Sequence, residues 1–143
     1  MTKNDNPHMY MHFIEQHLEA YTILKDKYPL PVNLFFVKAF LLGRMIELIL
    51  KTDLIMKGFS SDDLKKKERG GHSLIKLLEL LGFPNKYIIS TTTFDSINHL
   101  SNYYENKKYE YPQSEDVEIK NIVFLEEFIS LSIQKLKFHL KNP

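Results

Sequence analysis

The stretch from Leu34 to Met56 constrains the fold more than any other: it is almost continuously apolar, yet it carries Lys38, Arg44, Glu47, Lys51 and Asp53. Ionised groups are costly to bury unless they are paired and hydrogen-bonded, so a helix built from this stretch needs partners for its charges. So many ionisable side chains argue against an ordinary membrane span and for a buried helix within a helical bundle. At about 100° per residue, Arg44, Glu47 and Lys51 fall within roughly 60° of one another on that helix. Glu47 and Lys51 also form an i, i+4 pair in the favourable order. Two readings of the stripe stand side by side. It is either the wet edge of an amphipathic helix or a network that holds the next element against it. The segment Gly71-His72-Ser73-Leu74, a helix start, offers His72 as the partner for Glu47.

The remaining pattern is helical almost throughout, without sustained period-two alternation. A first helix is expected from Met9 to Asp26, with Phe13, Ile14, His17, Leu18, Tyr21 and Leu24 on its apolar face; Met1 to His8 are expected to be flexible. Tyr28-Pro29-Leu30-Pro31 stops it, because each proline removes a donor and restricts the residue before it. The central helix then runs from about Val32 to Lys57 and ends at Gly58. Ser60-Ser61-Asp62-Asp63 resembles a capping box for a short turn through Lys67. A third helix begins near His72 with Leu74, Ile75, Leu77, Leu78 and Leu81, and Gly82 with Pro84 ends it. A fourth starts near Thr92, with Thr92 and Asp95 as capping candidates and Phe94, Ile97, Leu100 and Tyr104 as its stripe. The last is expected from Ser114 to Leu140, acidic at its start and basic at its end, with Ile122, Leu125, Ile129, Ile133, Leu136 and Leu140 facing inward. No repeat or long linker divides the chain. The expectation is one all-α domain over residues 1–143, with no strand.

Composition narrows the function classes. The chain has 143 residues, and its 19 Lys and Arg nearly balance 18 Asp and Glu, so no global field points to a polyanion or a membrane. It has no cysteine, which excludes disulfides, thiolate metal sites and a cysteine nucleophile. The first ten residues lack an apolar signal-peptide core, and a cytoplasmic location is expected. His8 and His12 are spaced as metal ligands, but His17 diverges from His12 by about 140° on a helix and no further ligand set accompanies them. No metal and no cofactor are expected, nor a phosphate loop or serine nucleophile. Lys65-Lys66-Lys67-Glu68-Arg69 is the most basic run and reads first as a solvated face. Tyr103, Tyr104, Tyr109 and Tyr111 interleave with Lys107 and Lys108, a composition suited to stacking bases beside phosphate contacts. Tyrosines packed at a helix end give the same pattern.

Three segments, in order, resemble the HEPN family. Ala39 to Lys51, with Gly43 and Glu47-x-x-x-Lys51 in an apolar run, is similar to that family's second helix. Gly71-His72-Ser73-Leu74-Ile75-Lys76-Leu77-Leu78 resembles its Gly-His-x-Leu-x-x-Leu-Leu element, and Tyr104 to Pro112 resembles its tyrosine-to-Arg-Tyr-Pro segment. The resemblance spans about residues 10 to 140. It implies an up-and-down bundle of four long helices with a short capping helix, a homodimer, and association with RNA or nucleotides. It also implies a nucleotidyltransferase-type protein partner in a toxin–antitoxin or defence setting. Catalytic members cleave RNA through an Arg-x4–6-His motif, and this chain departs from it. Arg69 and His72 are separated by two residues, Arg44 has no histidine four to six positions beyond it, and there is no other arginine.

The expectation is therefore a non-catalytic HEPN-like binding or regulatory module, with Arg44, Glu47, Lys51 and His72 as the candidate polar cluster. Tyr104, Lys107, Lys108 and Tyr111 form a candidate secondary surface, and no catalytic residue is assigned. One alternative is a ribonuclease using the Arg44, Glu47, Lys51 and His72 side chains in an atypical site. Another is a purely structural interaction module.

Overall fold

A computed structural model describes residues 6–30, 34–66, 71–105 and 119–142. Among these the chain is all-helical, with α1 (Pro7–Lys27), α2 (Phe35–Met56), α3 (Ser61–Leu64), α4 (Leu74–Leu80), α5 (Thr91–Tyr104) and α6 (Ile122–Lys141). Helix α2 is the hub, and each of the other five packs against it. Around it α5 also touches α4 and α6, and α1 touches α6. Every residue of α2 from Met45 to Lys51 is buried, the burial of a helix with neighbours on all sides. None of the described helices is long and apolar enough to cross a membrane.

The four long helices lie where the periodicity places them, and their ends differ in instructive ways. Helix α1 opens at Pro7, two residues earlier than expected, because Asn6 caps it by accepting the His8 N–H at 3.0 Å. Pro7 and His8 therefore belong to the helix rather than to a flexible tail; residues 1–5 lie outside the described residues. Its inward face is Pro7, Met11, Ile14 and Tyr21, a rotation that leaves Phe13 exposed, contrary to the expected stripe. Helix α5 is capped by Ser90, which accepts the Thr93 N–H at 3.1 Å; Thr92 and Asp95 do not cap it. Helix α6 begins at Ile122 rather than Ser114, after Asn121 in the left-handed region at φ 52°. The first turn of α6 holds no acidic residue, and Glu115, Asp116 and Glu118 lie outside the described residues. Of the expected inward face, Leu125, Ile129, Ile133 and Leu136 are buried and Ile122 and Leu140 only partly so, with Phe128 added.

The short elements position the site. Ser60 caps α3 through the Asp63 N–H, as the capping-box reading requires. Gly71 then donates its N–H to the Leu64 carbonyl at 2.9 Å, tying the start of the next turn to the end of α3. Its φ of 54° is a conformation that glycine adopts without strain. Ser73 caps α4 by accepting the Lys76 N–H, so His72 stands in the turn just before the helix. Leu74, Leu77 and Leu78 are fully buried and dock α4 on the hub.

This docking is testable. Leu78→Ala should destabilise the protein by about 2–5 kcal/mol through loss of buried surface and the cavity left behind. Urea unfolding monitored by circular dichroism measures it, and an unchanged midpoint would mean that α4 does not pack as described.

Candidate functional site

Glu47 is the focus of the polar cluster. Its side chain is completely buried in the middle of α2, and its two oxygens receive four donor side chains. Lys51 Nζ, one turn later on the same helix, donates to Oε2 at 2.8 Å. Arg44 Nη1, one turn earlier, donates to the same oxygen at 2.9 Å. His72 Nδ1 lies 3.1 Å from both oxygens, and the Tyr104 hydroxyl donates to Oε1. The carboxylate thereby joins α2, α5 and the turn between α3 and α4.

The wet-edge reading of the stripe is thus wrong for Glu47 and Lys51, which are 0 % and 8 % exposed. The cluster is layered from core to solvent. Glu47, Lys51 and Tyr104 are inside, the Arg44 side chain is 35 % exposed, and that of His72 is 77 % exposed. All four residues of the candidate cluster come together.

Tyr104 was grouped by sequence with a lysine-rich surface, and the structure moves it into this cluster. Tyr104 is 7 % exposed and its ring packs on α2 at Gly43, where an added Cβ would come within 2.5 Å of the ring carbons. The missing side chain at Gly43 lets the ring reach α2, and a buried hydroxyl then needs an acceptor, which Glu47 supplies. Tyr103 instead packs edge-on against Phe35 with centroids 5.0 Å apart. Lys107, Lys108, Tyr109 and Tyr111 lie outside the described residues.

Burial is the largest single influence on the Glu47 carboxyl and by itself pushes its pKa up. The Lys51 charge and bond, the Tyr104 bond and the Arg44 charge together outweigh it, so the carboxyl sits below its ordinary value. For Tyr104 burial again comes first, and the adjacent Glu47 charge and hydrogen bond add to it; the phenol is pushed up and remains a neutral donor. The surroundings therefore favour the ionised carboxylate, whose acceptor capacity is filled. It orients the arginine and the imidazole that reach solvent.

Other polar groups are accounted for locally. Lys38, 1 % exposed, donates to the carbonyls of Tyr28 and Leu30 and so holds the chain beyond the end of α1; burial lowers its pKa. Tyr21 and Lys25 of α1 converge on Glu126 of α6, each at 2.7 Å. His12 faces Gln16, and His17 faces the Phe13 carbonyl. Among the described residues no three His, Asp or Glu side chains are grouped to hold a metal ion. The described part of the basic run is balanced by Lys65–Asp62 and Lys66–Asp63 pairs, both at 3.7 Å.

No family model matches the chain, and comparison with curated proteins and with solved structures finds no match either.

The depressed Glu47 pKa has a signed consequence. The folded carboxyl binds protons less readily than in the unfolded chain, so its stabilising effect is complete above the unfolded value and fades as pH falls through the folded one. Glu47→Gln should lower stability by about 1–3 kcal/mol at pH 7, where it strips a buried lysine of its counter-charge. The gap to wild type should close toward pH 3. Denaturant midpoints across that range check this, and parallel curves for the two proteins would contradict it.

Proposed function

We propose that this chain is a HEPN-like, non-catalytic binding or regulatory module whose Arg44–His72 edge receives the phosphate of an RNA or a nucleotide. The observation that carries this reading is the layering of the cluster: a sealed carboxylate fixes an arginine and a histidine that stay accessible. Arg44 and Lys51 together outweigh Glu47, so the cluster is net cationic even with a neutral imidazole. Guanidinium has five N–H donors in a fork suited to phosphate, and Glu47 occupies only part of them. Holding that fork in place in advance lowers the ordering cost of binding.

The non-catalytic part of the proposal rests on two points. The family's Arg-x4–6-His spacing is absent, and the imidazole stands largely in bulk water rather than in the water-excluded setting that strengthens electrostatic catalysis. The HEPN-like assignment is supported by the four long helices, the short α4 that packs on α2, and the meeting of Glu47, Lys51, His72 and Tyr104 from the three resembling segments. A homodimer, a cytoplasmic location and a nucleotidyltransferase-type partner in a toxin–antitoxin setting come with that assignment and belong to the same proposal.

A second reading, an atypical ribonuclease, is favoured by one observation. Arg44 and His72 share a single Glu47 oxygen despite their distance in sequence, which brings a phosphate-stabilising cation beside an acid–base group.

Fluorescence anisotropy with a labelled single-stranded RNA and with a labelled adenine nucleotide, at two salt concentrations, separates these readings. Salt-sensitive binding that weakens about tenfold in Arg44→Ala and in His72→Ala, with the RNA left intact, is the expected result. Binding unaffected by either substitution refutes the proposal. Cleavage of the RNA that disappears in His72→Ala establishes the enzyme reading instead.

A further inference from the structure

A cavity of about 580 Å³ opens where the end of α2, the connection between α4 and α5, the start of α5 and one side of α6 come together. No member of the Glu47 cluster lines it. Its apolar lining is Phe124, Phe128 and Leu131 of α6 with Ile88 and Ile89 of the connection. Phe128 is buried, whereas Leu131 and Ile88 are exposed. Three lysines, Lys57, Lys86 and Lys135, complete the lining from three separate segments, and all are exposed. Lys57 is paired with Asp53 at 3.2 Å, but Lys86 and Lys135 have no ion-pair partner among the described residues. Among those residues Glu127 is the one carboxylate of the lining.

The sequence of α6 produces this mixture. At about 100° per residue, Phe124, Phe128, Leu131 and Lys135 fall within roughly 60° of one another, with Glu127 at the edge of the row. An apolar row thus ends in an ammonium group on the same side of the helix. Burial, and then the Asp53 charge, push the phenol of Tyr87 up, so this further lining group stays a neutral hydroxyl.

We propose that this cavity binds an amphipathic organic anion, with a carboxylate or phosphate head at Lys86 and Lys135 and an aliphatic body along Phe124, Phe128 and Leu131. Sites for small molecules are concave and mostly apolar, hold a few charged groups that set orientation, and measure roughly 300–1,000 Å³. This cavity has each property. The charge balance selects the sign of the ligand, because two lysines without partners outweigh one glutamate. The apolar lining selects its body: a wholly charged ligand would leave the exposed leucine and isoleucine in water, and a wholly apolar one would leave the lysines unused. The inference uses none of the side chains assigned to phosphate binding at Arg44 and His72, so it stands or falls independently of that reading.

Isothermal titration calorimetry of the full chain with dodecanoate, dodecyl phosphate and dodecyltrimethylammonium, each below its micelle concentration, tests it. One molecule of an anion per chain is expected to bind, about tenfold tighter than the cation, and the tighter anion identifies the head group. Lys86→Glu and Lys135→Glu should each weaken anion binding about three- to tenfold, and Leu131→Asp should weaken it by a similar factor. Lys65→Glu, the same change of charge outside the cavity, should leave it unchanged. All four positions are exposed, and circular dichroism confirms that each variant is folded. Absence of saturable binding overturns the proposal, as does equal affinity for the cation or indifference to the two lysine reversals. Self-association that excludes the anions, seen by sedimentation velocity, overturns it as well.

Discussion

A single buried carboxylate organises this protein. Glu47 sits at the centre of the helix on which every other described helix packs, and its burial would be prohibitive without Lys51, Arg44, His72 and Tyr104 around it. Because those donors come from α2, from α5 and from the turn before α4, neutralising the charge also registers three parts of the chain against one another. The hydrophobic effect supplies the driving force for the bundle without direction. The carboxylate supplies the direction.

The same arrangement divides the site into an interior that is chemically silent and a rim that is not. With its acceptor positions filled and its pKa held low, Glu47 is a scaffold for the side chains it touches. Arg44 and His72 are the members of the cluster that reach solvent. Their fixed orientation is the physical basis for reading the site as a phosphate-binding edge. The exposed imidazole, set in water, is the reason for placing binding ahead of catalysis.

Much of this was legible in the sequence wherever the relevant physics is local or forced. Glu47 and Lys51 are one turn apart, and a charge in so apolar a helix demands a partner, so the approach of His72 could be read before any coordinates. Glycine and serine at the start of α4 placed that histidine in a turn. Tyr104 could not be assigned in the same way. Its role depends on a ring lying against Gly43, a contact between α5 and α2 that exists only after packing, and its lysine neighbours suggested a surface instead. The face of α1 was misjudged for a related reason. Both a row through Phe13 and a row through Met11 satisfy helical periodicity, and only the neighbours on α2 choose between them. The start of α6 was placed too early because an acidic stretch resembles a first turn, whereas Asn121 in a left-handed conformation sets the boundary.

The most direct test of the organising role of Glu47 is a double-mutant cycle between Glu47→Gln and Tyr104→Phe, read from urea unfolding free energies. If the carboxylate and the phenol clamp α5 to α2, the two substitutions should be non-additive, with a coupling energy of about 0.5–3 kcal/mol. Additivity within about 0.3 kcal/mol would contradict the account, because it would mean that the two side chains act independently and that the hub is held by apolar packing alone.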